Sequence, residues 1–521
     1  MRSSLRLFSL LAITAVVVLI VAAWQLGIPT IAAGMAAKNT CSAVFISRRP
    51  VERVIADDIL PASIVLRLVR IEVDQQARTA SAILPGGAQR HAVFRGRLGC
   101  VLLASGKVPD PDDNRSLGFD RPATPRIVAD HATGLAAANG SGAERTTDAG
   151  PADSPTANDA PLWPDGNRML DPAQWPATVD ARRLQAVVAG AFFAQSSHST
   201  SPIRELSSTS ATRAVVVARS GRLLIEQYAS GFDRDTPQLG WSMAKTVLSL
   251  LTWMRFSEQR TPLDTPVVDA MSRVPRPNWI GDWLRDGRAG ITVEQLLTMR
   301  DGLDHAESYR PWSAVPRMLW REPDIAGWAS RAAIQAQPGT TWRYSSAVSN
   351  LLSRVLRDQF ASDRSYWQYP VQALFDPIGM RSAVLETDAD GTFIASSYLW
   401  ASAQDWARLG QLILADGNWQ GDQIVPPGWL AYALESRTDA TGRRLPYGAQ
   451  VWQSHDMAGI DCPADTRLPP NGLLLLGHWG QVVGVFPSQA AVIVRLGWTA
   501  DGEPWDRCSF LADILQALGP V

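Results

Sequence analysis

The chain has 521 residues, 46% of them apolar, and a formal net charge of −1. Length and apolar content together support a large packed core and exclude global disorder. Near-neutral charge without a long basic run excludes a nucleic-acid partner.

The N-terminus carries Arg2 and Arg6 and then runs without a charge from Leu7 to Ala37. About 20 apolar residues span a bilayer, and basic residues ahead of such a run retain that end in the cytoplasm. Residues 1–37 are therefore expected to insert in the membrane as an N-terminal anchor. A cleaved signal peptide is the competing reading, because 32–37 is rich in small residues. Either way the body is expected to be extracytoplasmic, in the periplasm or an equivalent compartment. Four cysteines in an exported chain can pair. Cys41 with Cys100 and Cys462 with Cys508 are the simplest of three connectivities, and four buried free thiols are the alternative.

Residues 38–108 contain the β-like runs Ile64–Val73, Thr79–Leu84 and His91–Phe94, with a Gly86-Gly87 turn, and read as a small β-rich module. From Pro109 the composition shifts to Pro, Asp, Ala, Gly, Ser and Thr, and 109–175 reads as a flexible linker. The remainder, 176–521, is a dense globular pattern. A helix is expected over Asp180–Phe193, a hairpin over Ala214–Val217 and Leu223–Tyr228, and a helix apolar nearly all round over Ser242–Phe256. The runs Leu473–Leu476, Val482–Phe486 and Ala490–Leu496 close the chain as antiparallel strands.

Ser242 and Lys245 share one face of the buried helix. A hydroxyl nucleophile needs a base, and a lysine serves once desolvation lowers its pKa, which arginine does not allow. Of the 49 basic residues only Lys38, Lys107 and Lys245 are lysine, so the single lysine of the region 176–521 follows a serine by three at a helix start. Read blandly, the serine is an N-cap and the lysine a surface residue. A serine at a helix start also places backbone N–H groups where an oxyanion develops. In Trp342-Arg343-Tyr344-Ser345-Ser346, Tyr344 is a candidate proton relay, its phenol expected to move toward phenolate beside a lysine ammonium. In Gly477-His478-Trp479-Gly480-Gln481, glycines permit close approach to a ligand, and the Gln481 backbone N–H is a candidate second oxyanion donor.

Gly240-Trp-Ser-Met-Ala lacks the second glycine of a nucleophile elbow, which disfavours an α/β-hydrolase. The six histidines, His91, His131, His198, His305, His455 and His478, form no helical pair or His/Cys cluster, so no metal is expected, and no cofactor is called for.

Three elements in order, Ser242-Met-Ala-Lys245, Tyr344-Ser-Ser346 and His478-Trp-Gly480, resemble those of class C β-lactamases, DD-peptidases and related esterases. Gln295-Leu-Leu-Thr-Met-Arg-Asp-Gly302-Leu, Tyr344-Ser-Ser-Ala347, Ala401-Ser-Ala-Gln-Asp-Trp-Ala-Arg408 and Gly477-His-Trp-Gly-Gln481 resemble the 6-aminohexanoate-dimer hydrolase branch. The resemblance covers roughly 180–520. It implies an α/β (α+β) fold of the β-lactamase/transpeptidase type, with an antiparallel sheet flanked by helices and a helical subdomain. It also implies an acyl-enzyme on Ser242, with Lys245 and Tyr344 sharing proton transfer and Ser346, His478, Gly480 and Gln481 in the substrate and oxyanion region. Ser346 stands where β-lactamases and peptidases carry asparagine, and His478 where β-lactamases carry the lysine that meets a substrate carboxylate. A small-molecule ester or linear amide is therefore the expected substrate. A β-lactamase or DD-peptidase, and a non-catalytic envelope binding protein on the same fold, are the alternatives. The sequence leaves the oligomeric state open.

Overall fold

The computed structural model describes residues 14, 18, 21–109, 161–193, 211–454, 462, 468–499 and 505–521. Helix α1 spans Ile28–Phe45, with Pro29 in its first turn, and every residue from Ala33 to Val44 is buried. It lies on a four-stranded antiparallel sheet of β1 (Arg70–Asp74), β2 (Thr79–Ile83), β3 (Gln89–Phe94) and β4 (Cys100–Leu102), in that order. The Cys41–Cys100 disulfide joins α1 to β4.

Helix α1 takes the end of the expected anchor, 28–37, into the protein body, while most of 1–20 lies outside the described residues. From Ile28 the uncharged run is enclosed by protein, and the helix continues past the expected boundary to Phe45. Among the described residues no helix is long and apolar enough to cross a membrane. The β-like run Ile64–Val73 is likewise divided. Ser63 accepts from the Val65 N–H and starts a 3₁₀ turn over Ile64–Leu68, so the strand begins only at Arg70.

Residues 110–160 of the expected linker lie outside the described residues. Its end, from 161, belongs to the body. Trp163 is fully buried, Arg408 donates to the carbonyls of Pro164 and Gly166, and the Leu170 N–H donates to the Leu223 carbonyl. The body thus begins ahead of residue 176, because an arginine distant in sequence binds the segment.

Helix α2 (Ala181–Gly190) is capped by Asp180, which accepts from the Arg183 N–H. Strands β5 (Thr212–Arg219) and β6 (Arg222–Tyr228) form the expected hairpin. Next come β7 (Gln238–Leu239), α3 (Ala244–Gln259), α4 (Ala314–Trp320), α5 (Ser346–Asp358), β8 (Val384–Leu385), β9 (Leu399–Ala401) and α6 (Ala403–Leu414). The chain closes with β10 (Trp452–Gln453), β11 (Leu473–Gly477), β12 (Gln481–Phe486), β13 (Ala491–Gly497) and α7 (Arg507–Leu518). A six-stranded antiparallel sheet runs β10-β11-β12-β13-β5-β6, and a small sheet runs β7-β9-β8.

The large sheet is covered on both faces, which is why its strands read as apolar runs rather than alternating ones. Side chains alternate between faces. Val215 and Val217 of β5 pack with Leu184 of α2 and Leu511 and Ile514 of α7. Ala214, Val216 and Ala218 pack into the larger core with Val247 and Leu251 of α3 and Leu409 of α6. The Cys462–Cys508 disulfide fastens the start of α7.

Candidate active site

Ser242 lies in a 3₁₀ turn, Trp241–Met243, that leads into α3. The turn is positioned from both sides. The Gly240 N–H donates to the Leu399 carbonyl (2.8 Å), and β7 pairs with β9. On the other side the β11–β12 hairpin turn, His478–Gly480, comes so close that a Cβ on Gly477 would run into the Gly240 carbonyl oxygen. Trp241 adopts φ of 49° and is fully buried, with Tyr309, Tyr398, His478, Trp479 and Trp498 around its ring.

One turn along α3, Lys245 is fully buried. Its Nζ lies 2.9 Å from Ser242 Oγ, 3.0 Å from Ser346 Oγ and 2.8 Å from the Ser396 carbonyl oxygen. Burial lowers the ammonium from 10.5 to about 8, and the Glu307 charge opposes that fall. The Tyr344 ring centroid is 5.0 Å from Nζ. Burial, then the Glu307 charge, push this phenol above its ordinary 10.0, more than the Ser242 side chain lowers it. The expected drift toward phenolate is thereby corrected, because desolvation outweighs the nearby amine.

Ser346 begins α5, where Ser345 caps the helix. Its N–H and its Oγ both donate to the Glu307 carboxylate, at 2.7 Å each. Asn350, one turn on, donates to Ser396 Oγ at 3.0 Å and so fixes the residue whose carbonyl receives Lys245. His478 stacks face to face on Tyr309, with centroids 4.1 Å apart and planes 6° apart. Gly480 has φ of 83°, and a Cβ there would lie 2.6 Å from an Arg495 guanidinium nitrogen. The Gln481 side chain is locked, donating to the Gly497 carbonyl (2.6 Å) and accepting from the Gly497 N–H (2.9 Å).

The structure thus gathers Ser242, Tyr344 and Ser346 around Lys245, with the His478–Gln481 hairpin alongside through Trp241. Residues 207–509, more than half of the chain, match the Beta-lactamase family. The chain belongs to that family. It is a serine hydrolase. A 6-aminohexanoate-dimer hydrolase of Paenarthrobacter ureafaciens is 25% identical over 335 residues, which span 60% of this chain and 79% of that protein. A solved penicillin-binding-protein homologue from Caulobacter crescentus is 14% identical, with a TM-score of 0.46 over 66% of this chain and 97% of its own. A family VIII carboxylesterase structure is 13% identical, with a TM-score of 0.47 over 67% of this chain and 98% of its own.

Three residues of this β-lactamase-family hydrolase escaped the sequence reading: Glu307, Tyr309 and Ser396. Glu307 and Tyr309 follow shortly after Gly302-Leu303, the end of a stretch already singled out, so a carboxylate and a phenol two apart were the available signal. Ser396 acts through its carbonyl, which carries no side-chain signature.

Proposed function

We propose that this chain hydrolyses esters or linear amides through an acyl-enzyme on Ser242. Lys245, as the free base, takes the Ser242 proton while Oγ bonds to the substrate carbonyl carbon. The tetrahedral oxyanion is held by the backbone N–H groups of Ser242 and Gln481. Tyr344, as a neutral phenol, passes a proton to the leaving oxygen or nitrogen and recovers one from Lys245. Water then attacks the ester on Ser242 with the same groups in reverse order.

The observation that carries this reading is the surroundings of Lys245 Nζ. Three oxygens lie at 2.8–3.0 Å, one of them the candidate nucleophile. A free amine donates two hydrogens and accepts one, so Ser346 Oγ and the Ser396 carbonyl take the two donations and the lone pair is left for the Ser242 hydroxyl. Glu307 supports that polarity, since the Ser346 hydroxyl donates to its carboxylate and turns a lone pair toward Nζ. A β-lactam or peptidoglycan substrate is disfavoured, because Ser346 occupies the asparagine position with its hydrogen committed to Glu307. The relative named for a 6-aminohexanoate dimer supports a linear amide in the substrate panel. Two disulfides support an extracytoplasmic setting.

The test is fluorophosphonate labelling followed by intact mass, comparing the chain with its Ser242→Ala variant. One adduct lost in the variant supports the reading. No adduct on folded protein would leave the binding-protein alternative, and an adduct that survives would place the nucleophile elsewhere.

A further inference from the structure

The family match begins at residue 207, so α1 and the sheet β1–β4 lie ahead of it. They nevertheless reach the centre of the hydrolase. Glu386, just after β8, is fully buried. Its carboxylate receives Lys38 Nζ at 3.0 Å, Ser42 Oγ at 2.9 Å, the Cys100 backbone N–H, and Trp400 Nε1 at 2.9 Å. Three of these four donors come from the N-terminal module, and Lys38 also donates to the Cys100 carbonyl. Gly99, with φ of 63°, is needed for this approach, since a Cβ there would lie 2.6 Å from the Glu386 side chain. A buried carboxylate deprived of most of its donors is an uncompensated charge.

From Glu386 the contacts lead directly to the reacting groups. The Glu386 N–H donates to the Tyr398 carbonyl (2.9 Å), and the Ile394 N–H to the Glu386 carbonyl (2.8 Å). These bonds fix the segment whose Ser396 carbonyl receives Lys245 and whose Leu399 carbonyl receives the Gly240 N–H. The Tyr398 hydroxyl accepts from Trp320 Nε1 (2.7 Å) and donates to Asn39 Oδ1 of α1 (2.8 Å), while its ring lies against Trp241. Beyond the end of α1, Ser47 Oγ donates to the Pro237 carbonyl (2.6 Å), next to β7 and five residues before Ser242.

We infer that the N-terminal module is a working part of the active site, and that Lys38, through Glu386, is a positioning residue for Lys245 and Ser242. This rests on the roles proposed above for those two residues. A displacement of about 1 Å in a reacting pair costs up to roughly 100-fold in rate.

The experiment uses the full chain and its Lys38→Met and Tyr398→Phe variants. Fluorophosphonate labelling rates are taken per folded molecule, kcat and KM are measured on a p-nitrophenyl ester, and hydrogen exchange is followed by mass spectrometry over 238–245 and 396–401. In Lys38→Met, labelling is expected to slow roughly 10- to 100-fold, with kcat falling, KM steady, and both peptides exchanging faster. Tyr398→Phe, which deletes only the hydroxyl and keeps the fold, is expected to slow labelling about fivefold. Wild-type labelling rates per folded molecule in both variants, or unchanged exchange over 238–245, would overturn the inference. Should the wild type itself take no label, the proposed function fails, and the exchange comparison still decides whether the module holds the Ser242 turn.

Discussion

Lys245 has room for three hydrogen-bond partners and has three, none of them a carboxylate. Its nearest negative charge, Glu307, acts through Ser346 rather than by direct contact. That distance matters, because a carboxylate bonded to Nζ would hold the ammonium form and remove the base. With the ammonium lowered to about 8, kcat/KM is expected to rise with pH and reach half its plateau near that value. The sign follows from the proposed role: protonated Lys245 cannot accept the serine proton, so activity would be lost on the acid side. Glu307 favours the ammonium, so Glu307→Gln is expected to move this limb to lower pH while reducing the plateau through the disturbed Ser346. Lys245→Ala is expected to cost roughly 10²–10⁴ in kcat/KM. Stopped-flow pH profiles on an activated ester check all three outcomes. A limb that stays in place in Glu307→Gln would show that Glu307 does not influence the base.

Among the elements, those with a local signature were legible. The β5–β6 hairpin and the three closing strands lie within a residue or two of their expected ends, because an apolar run between turn residues leaves little choice. The first part of α1, 28–37, was grouped with the anchor for a physical reason. A helix buried on all sides in protein is as apolar as one buried in lipid, and its distinguishing residues, Lys38, Asn39 and Ser42, find their partners about 345 to 360 positions later in Glu386 and Tyr398. The Ser-x-x-Lys pair was legible because helical spacing places both groups by itself, whereas Glu307 enters on a loop that only the tertiary fold brings to Ser346. The hairpin approach depends on a missing side chain. Gly477→Ala must push the His478–Gly480 turn away from Gly240, at a cost of roughly 1–3 kcal/mol. It is expected to lower the melting temperature and slow Ser242 labelling more than the stability loss explains. Labelling at the wild-type rate at a temperature where the variant is folded would show that this contact does not position the nucleophile.

At the scale of the whole molecule, the large sheet separates two kinds of support. On one face lie α3, α6 and, beyond them, the N-terminal module with Cys41–Cys100. On the other lie α2 and α7 with Cys462–Cys508, joined to the candidate site through Arg495, whose guanidinium lies over the Trp505 ring and donates to the Gly480 carbonyl. The bridges therefore differ in what their loss does. Replacing Cys462 and Cys508 by serine opens a loop with a sequence separation of 46, and chain entropy sets the stability loss at roughly 4 kcal/mol. Labelling of Ser242 per folded molecule is expected to stay at the wild-type rate, because α3, which carries the Ser242–Lys245 pair, packs on the opposite face of the sheet from α7. Replacing Cys41 and Cys100 costs a similar amount by the same reasoning, but it also frees the β4 strand whose Cys100 N–H and carbonyl meet Glu386 and Lys38. Denaturant melts paired with labelling kinetics separate the two effects. Equal slowing of labelling in both double variants would mean that the sheet transmits strain from either face, and that the division of support between its faces does not hold.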